Sequence, residues 1–428
     1  MLMTIAGQGA LQGAVQVPGD KSISHRAAII GALATGETRI EGFLSAEDCL
    51  ATLTCLRQLG VPITVSDTTV QIQGVGLTGL REPEGVLDCG NSGTTARLLL
   101  GVLAAQQFST VITGDDSLRQ RPMGRVTEPL LLFGARISGG RQAQLLPLTC
   151  HPAAMRAGHY RTPVASAQVK SALLLAGLFN SGETQISEPH QSRDHTERLF
   201  AYFGAGIKMQ GTTVCLQGPA QLTGRLVQVP GDLSAAAFFL VAASIVPGSE
   251  VVLHNVGINP SRAGILNVLQ AMGGDLQLFN QREVGGEPIA DLRVRSADLH
   301  GVEISGALIP KLIDELPILA VAALFAKGRT TIKDAQELRV KETDRLAAVA
   351  EEFSKLGAVI TPTADGLVIN GAQHLSGGTV HSRGDHRMVM SLAIAALRAA
   401  EPVTIIGADA VAVSYPHFWQ TLQGIQRN

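Results

Sequence analysis

A chain of 428 residues exceeds what one ordinary hydrophobic core fills, so two domains are expected. With 45% hydrophobic and 16% charged residues it is globular rather than disordered. Its net charge of -2 gives no reason to expect nucleic acid or a membrane as partner. Any anionic ligand must therefore be met by a local cluster of Arg and Lys.

The opening MLMTIAGQGA carries no charged n-region or cleavage signature. VQVPGD at residues 15–20 then leads to a small-residue helix, the strand GETRI, a second helix CLATLTCLRQ and a strand after a Gly turn. Weaker copies start at Asp88 (DCGNSGTTARLLL, then TVITG) and Val164 (VASAQVKSALLLAGL, then GETQISE and HTERLFAYF). VQVPGD returns at residues 227–232, before the apolar run AAAFFLVAASIV, GSEVVLH and AGILNVLQAM. That run is too short to span a bilayer and reads as a buried helix. Two more copies start at Ile309 (IPKLIDELPILAVAAL, then GRTTIKD and ETDRLAAVAEEFSKL) and Ser382 (SRGDHRMVMSLAIAAL, then PVTIIG). Units spaced by about 65 to 80 residues are too long for a solenoid. The second helices place apolar residues three and four apart, as one buried face requires.

Six units group as three plus three, and the matching VQVPGD turns mark an internal duplication. Residues 19–230 are expected to form one domain with repeats one to three. Residues 1–18 and 231–428 are expected to form a discontinuous second domain with repeats four to six. The fold class is α/β, each domain holding three sheets around three buried helices. The alternative, one large α/β sheet, sits poorly with the repetition. Cys49, Cys55, Cys89, Cys150 and Cys215 include no CxxC pair, so free thiols are expected rather than disulfides or zinc.

The polar motifs fall mostly at helix starts. In DKSISHR (residues 20–26), Ser22 and Arg26 share a helical face beside Lys21. Such a start suits an anion, and equally suits Ser as a cap with solvated charges. In DCGNSGTTARLLL, Gly90 and Gly93 allow close backbone approach, Thr94 can cap, and Arg97 lies one turn in. A structural turn explains this segment as well as an anion nest does. Arg119, Arg121 and Arg125 crowd around Pro122, an arrangement that an anion would compensate. Ser166, Gln168 and Lys170 open another helix, and Ser192-Arg193 precede the next; both groups also read as ordinary caps. Asp314 and Glu315 begin an apolar helix, where N-capping is the competing explanation. In ELRVKETDR (residues 337–345), a helix would stack Lys341 on Arg345 and bring Glu342 to Arg345. Asp385-His386-Arg387 precede a strongly apolar helix. No metal-ligand cluster such as HExxH is present in the sequence.

PGDKSISHR, GNSGTTARLL, SLRQRPMGR, SAQVKSALLLAG, LRVKETDR and DHRM, in that order along nearly the whole chain, resemble the 5-enolpyruvylshikimate-3-phosphate synthases (3-phosphoshikimate 1-carboxyvinyltransferases). The resemblance implies a two-domain inverse α/β barrel of six βαβαββ-type repeats, three per domain. It implies transfer of the enolpyruvyl group of phosphoenolpyruvate to the 5-hydroxyl of shikimate 3-phosphate, on the route to chorismate and the aromatic amino acids. Carried over by motif, Lys21, Ser22, Arg26, Ser166, Ala167, Gln168, Arg193, Asp314 and Lys341 would meet shikimate 3-phosphate. Lys21, Gly93, Arg121, Gln168, Arg345 and Arg387 would surround phosphoenolpyruvate, with Arg97 in support. Asp314 would take the hydroxyl proton, and Glu342 with Lys21 would handle the methylene proton. The family is a glyphosate target, and Gly93 leaves space on the phosphoenolpyruvate side. The expected enzyme is a cytoplasmic monomer with no cofactor and no metal, closing on its first substrate by flexing near Pro18-Gly19 and Pro230-Gly231.

Two positions depart from the common pattern. Ala167 stands where a second Ser is frequent, and Val413 where many members carry Lys ahead of the aromatic-Pro pair Tyr415-Pro416. The related UDP-N-acetylglucosamine enolpyruvyl transferases typically have Lys-Asn in place of Lys21-Ser22 and a Cys in the loop matching residues 114–121. This chain has neither feature. A non-catalytic, anion-binding repeat protein is the alternative from another class; it would bind phosphoenolpyruvate without releasing phosphate.

Overall fold

The computed structural model describes residues 1–7 and 9–426. It divides into two compact units, one made of Gly19–Val229 with Glu283–Glu287, the other of the remaining described residues. Each unit has its own hydrophobic core.

Six helices open the six repeats. In the first unit these are α1 (Lys21–Leu33), α2 (Gly93–Leu103) and α3 (Ala167–Gly177). In the second they are α4 (Leu233–Ile245), α5 (Leu316–Phe325) and α6 (His386–Ala396). α4 is apolar around its whole circumference and every residue of it is buried, as such a sequence demands. In α2, a Cβ on Gly101 would come within 2.1 Å of the Ala172 carbonyl oxygen, so only glycine lets α2 and α3 pack this closely. Polar residues at the helix starts supply the missing hydrogen bonds. Asp20, Ser92, Ser166, Asp232 and Asp385 accept from the backbone N–H groups of Ile23, Thr95, Val169, Ser234 and Arg387.

Six small sheets complete the repeats, three to each unit. The strand after each helix is the strand the repeat pattern led us to expect; after α1, Thr35–Glu41 pairs antiparallel with Thr69–Val75, Ile40 opposite Val70. The two VQVPGD segments exchange strands. Gln12–Val15 precedes α1, yet pairs in parallel with Glu250–Gly257 after α4, Val15 opposite Leu253. Leu226–Gln228 precedes α4, yet pairs in parallel with Thr35–Glu41 after α1, Val227 opposite Ile40. Leu2–Ile5 closes a sheet with Val403–Ile406. The first crossing of the chain between units is at Pro18–Gly19, the second at Val229–Pro230. All five cysteines are free thiols, and Cys49, Cys55, Cys89 and Cys150 are buried.

Candidate active site

In the first unit the polar side chains gather at the starts of α1, α2 and α3. Asp20, not Ser22, caps α1. Ser22 is thereby spared that role, and its carbonyl oxygen accepts from Arg26 Nη1 at 3.0 Å. Lys21 forms an ion pair with Asp48. Arg26 is buried: its Nε donates to Thr196 Oγ1 at 2.7 Å and its Nη2 to Ser171 Oγ at 2.8 Å. These bonds fix the guanidinium plane before any ligand arrives.

At α2, Ser92 rather than Thr94 is the cap. Thr94 instead accepts from Gln168 Nε2 at 3.1 Å, and Gln168 Oε1 accepts from Arg97 Nη1 at 2.8 Å. Gly90 turns its N–H to Asp88, so that amide is not directed at an anion. Arg121 reaches Asn91 through both terminal nitrogens, at 2.6 and 3.3 Å, while its Nε is buried with no partner among the described residues. A Cβ on Gly93 would stand 3.0 Å from Arg97 Nη1 and 3.6 Å from Arg121 Nη1, so this glycine faces both guanidiniums. Of the remaining arginines in that loop, Arg119 is exposed and paired with Asp116 at 3.5 Å, and Arg125 is half-buried.

At α3, Ser166, Ala167 and Gln168 are half-buried around the helix start, and Arg193 is half-buried in the loop before the helix His195–Phe203. Beneath them Lys170 lies 2.8 Å from both Glu188 and Glu197. Burial opposes the Lys170 charge, but the two carboxylates outweigh it and raise its pKa. Burial also raises Glu197 above the ordinary glutamate value, against the pull of Lys170.

In the second unit the charged residues converge on Asp314. It lies in a short 3-10 turn, Ile313–Glu315, and neither Asp314 nor Glu315 caps α5 through its side chain. Asp314 Oδ1 is 3.3 Å from Lys341 Nζ and 3.3 Å from Arg345 Nη1, and its carbonyl oxygen accepts from Arg387 Nη1 at 2.9 Å. Arg345 is 1% exposed; its Nε meets Asp385 at 2.7 Å and its Nη2 meets Glu342 at 2.6 Å. Burial disfavours this guanidinium, but Asp385, Glu342 and Asp314 together hold its pKa above the ordinary arginine value. Residues 341–344 are not helical; the helix begins at Arg345 behind the Asp344 cap. The Glu342–Arg345 contact forms nevertheless, carried by the turn before the cap. Arg387 is also 3.5 Å from Glu315, which accepts from Ser234, itself a partner of Arg262 at 2.6 Å.

Each expected site residue thus lies in one of these two clusters; Val413, where many family members carry Lys, ends a short 3-10 turn at residues 408–413 and supplies no cation. The residues that motif reading missed are the supports: the buried Asp48, Ser171, Glu188, Thr196, Glu197, Ser234 and Arg262, and the half-buried Asn91. Ser234 was open to detection, because it stands in the second VQVPGD copy where Ser22 stands in the first. Among the described residues no group of three or more His, Cys, Asp or Glu is placed to hold a metal ion.

Buried guanidiniums and ammoniums that share carboxylates at helix starts suit an enzyme acting on anionic small molecules. Comparison with known proteins narrows this. Over 99% of its length the chain resembles a solved EPSP synthase from Acinetobacter baumannii, of which it covers 98%, with a TM-score of 0.89 and 44% identity. It is 54% identical to a 3-phosphoshikimate 1-carboxyvinyltransferase of Synechococcus sp. (strain RCC307), over 99% of both chains. It is 52% identical to one of Geobacter sulfurreducens, over 97% of both. The profile of EPSP synthase (3-phosphoshikimate 1-carboxyvinyltransferase) matches residues 5–422. The chain belongs to the EPSP synthase family.

Proposed function

We propose that this enzyme transfers the enolpyruvyl group of phosphoenolpyruvate to the 5-hydroxyl of shikimate 3-phosphate and releases phosphate, a step of aromatic amino acid biosynthesis. The observation that carries the residue assignment is the bracketing of Asp314 by Lys341 and Arg345, both at 3.3 Å. A carboxylate held between two cations is oriented to accept a hydroxyl proton in one geometry.

In this reading Asp314 takes the proton of the 5-hydroxyl as its oxygen adds to C2 of phosphoenolpyruvate. Glu342, with Lys21, delivers a proton to the methylene carbon, giving a methyl group and a tetrahedral carbon. Elimination reverses the second transfer: a methyl proton returns to the protein, the C2–O bond to phosphate breaks, and the enol double bond re-forms. Lys21, Ser22, Arg26, Ser166, Ala167, Gln168, Arg193 and Lys341 hold shikimate 3-phosphate together with Asp314. Lys21, Gly93, Arg121, Gln168, Arg345 and Arg387 hold phosphoenolpyruvate, with Arg97 orienting Gln168. The guanidiniums contribute by fixing both anions and offsetting charge that develops during addition. The proposed enzyme works as a cytoplasmic monomer without a cofactor; no helix among the described residues is long and apolar enough to cross a membrane.

The test is phosphate release from phosphoenolpyruvate, with shikimate 3-phosphate or UDP-N-acetylglucosamine as acceptor in parallel. Release with shikimate 3-phosphate alone is expected. Release with the sugar nucleotide alone would overturn the acceptor assignment, and phosphoenolpyruvate binding without release under either condition would overturn the activity.

A further inference from the structure

Glu188 follows the strand Gly182–Ser187 and is 4% exposed, and both of its carboxylate oxygens are engaged. Oε1 accepts from the Ser166 N–H at 2.9 Å. Oε2 accepts from the Ser192 N–H at 3.2 Å and the Ser192 hydroxyl at 2.7 Å, and meets Lys170 Nζ at 2.8 Å. Lys170 is 2% exposed and donates to the Ser192 carbonyl oxygen at 3.5 Å. One buried ion pair therefore grips Ser166 at the start of α3 and three polar groups of Ser192 in the loop beyond the strand.

Lys170 does not need Glu188 for charge balance, because Glu197 lies 2.8 Å from the same ammonium. A second buried carboxylate adds desolvation cost without a second cation to offset it. What Glu188 adds is the link between two segments distant in sequence, one carrying Ser166, Ala167 and Gln168, the other carrying Arg193. We propose that Glu188, backed by Lys170, is a positioning residue that sets the spacing of Ser166–Gln168 and Arg193, and through it the fit of the acceptor's phosphate. This rests on the assignment of those residues to shikimate 3-phosphate given above. Arg–phosphate contacts depend on geometry, so a small shift of the Ser192–Arg193 loop weakens them while leaving the ring contacts in place.

The experiment is equilibrium binding of shikimate 3-phosphate, and of shikimate as the same acceptor without its phosphate. The proteins are wild type, Glu188→Ala, Glu188→Gln, Ser192→Ala and Arg193→Ala, with thermal melting to verify folding. Glu188→Ala is expected to weaken shikimate 3-phosphate about tenfold or more and shikimate less than about twofold. Glu188→Gln, which keeps an acceptor for Ser166, falls between, and Ser192→Ala weakens the phosphorylated acceptor about threefold. Wild-type affinity in a folded Glu188→Ala protein, or an equal loss for both acceptors, overturns the proposal. If Glu188→Ala does not fold, wild-type affinity in both Glu188→Gln and Ser192→Ala overturns it. If Arg193→Ala binds shikimate 3-phosphate as wild type does, the phosphate assignment itself falls. If Arg193→Ala binds weakly while Glu188→Ala does not, only the positioning role falls.

Discussion

Asp314 Oδ1 lies 3.3 Å from the Nη1 of Arg345, a guanidinium that is itself clamped by Asp385 at 2.7 Å and Glu342 at 2.6 Å. The proposed base is thus oriented by a side chain that cannot swing, since Arg345 is 1% exposed and three carboxylates share it. Asp314→Ala is expected to lower kcat by about 10²–10⁴-fold, the range for loss of a positioned base. Phosphoenolpyruvate affinity should change little, because its proposed ligands remain. The assay is phosphate release at saturating substrates alongside equilibrium binding; turnover within threefold of wild type contradicts the role.

Gly93→Ala tests the space beside two arginines. The added methyl would stand 3.0 Å from Arg97 Nη1 and 3.6 Å from Arg121 Nη1, the ends of long side chains that can give way. The protein should fold, with KM for phosphoenolpyruvate raised about tenfold and KM for shikimate 3-phosphate within about twofold. A rise confined to shikimate 3-phosphate would place Gly93 on the other substrate.

His25 makes a buried pH liability. Thr95 Oγ1 shares its one proton between Ser92 Oγ at 2.7 Å and the Asp48 carbonyl oxygen at 3.3 Å, so it accepts from Thr52, and Thr52 accepts from His25 Nδ1–H at 2.7 Å. Nε2 is left buried with no partner among the described residues, so a second proton there would find no acceptor among them. Burial lowers the pKa from 6.5 to about 3. Between those values the unfolded chain carries a proton that the folded state refuses, so stability is lost as pH falls below 6.5. At pH 5 the loss is about 2 kcal/mol relative to neutral pH. Melting temperatures at pH 7.5 and pH 5 should fall further in wild type than in His25→Gln; equal falls would remove His25 as the cause.

Lys170→Met leaves Glu188 and Glu197 buried together without their cation, a loss of about 3–5 kcal/mol. Burial already raises Glu197 above 4.5 while Lys170 pulls it down, so the variant's folded state holds protons that the unfolded chain releases. That contribution to its stability is greatest below pH 4.5 and declines as pH rises through the raised value. The melting-temperature gap to wild type should be wider at pH 8 than at pH 5, and a gap independent of pH would refute this account.

Sequence alone located the helices and strands because the six-fold repeat imposes the same apolar period each time. It located the cationic motifs too, since they sit at helix starts. It did not rank the caps: Asp20 and Ser92 win over Ser22 and Thr94 because each stands just before the first helical residue, where its oxygen meets the open N–H groups. The helix that would stack Lys341 on Arg345 does not reach back to residue 341: Asp344 caps it, Arg345 is its first residue, and Glu342 lies on the turn before. Partners such as Thr196 for Arg26 and Glu188 for Ser166 lie far along the chain, and no local pattern encodes them.

The pairing of Leu2–Ile5 with Val403–Ile406 also dictates an order of assembly during synthesis. Residues 19–229 can mature as soon as Leu226–Gln228 has emerged to join Thr35–Glu41. The first strand of the chain has no such early partner and must wait, extended and unpaired, until almost everything else has been translated. Ribosome-bound chains halted once Leu226–Gln228 has cleared the exit tunnel should therefore lose their first dozen residues to protease while the following two hundred resist, and the last stretch to be made is what seals the first.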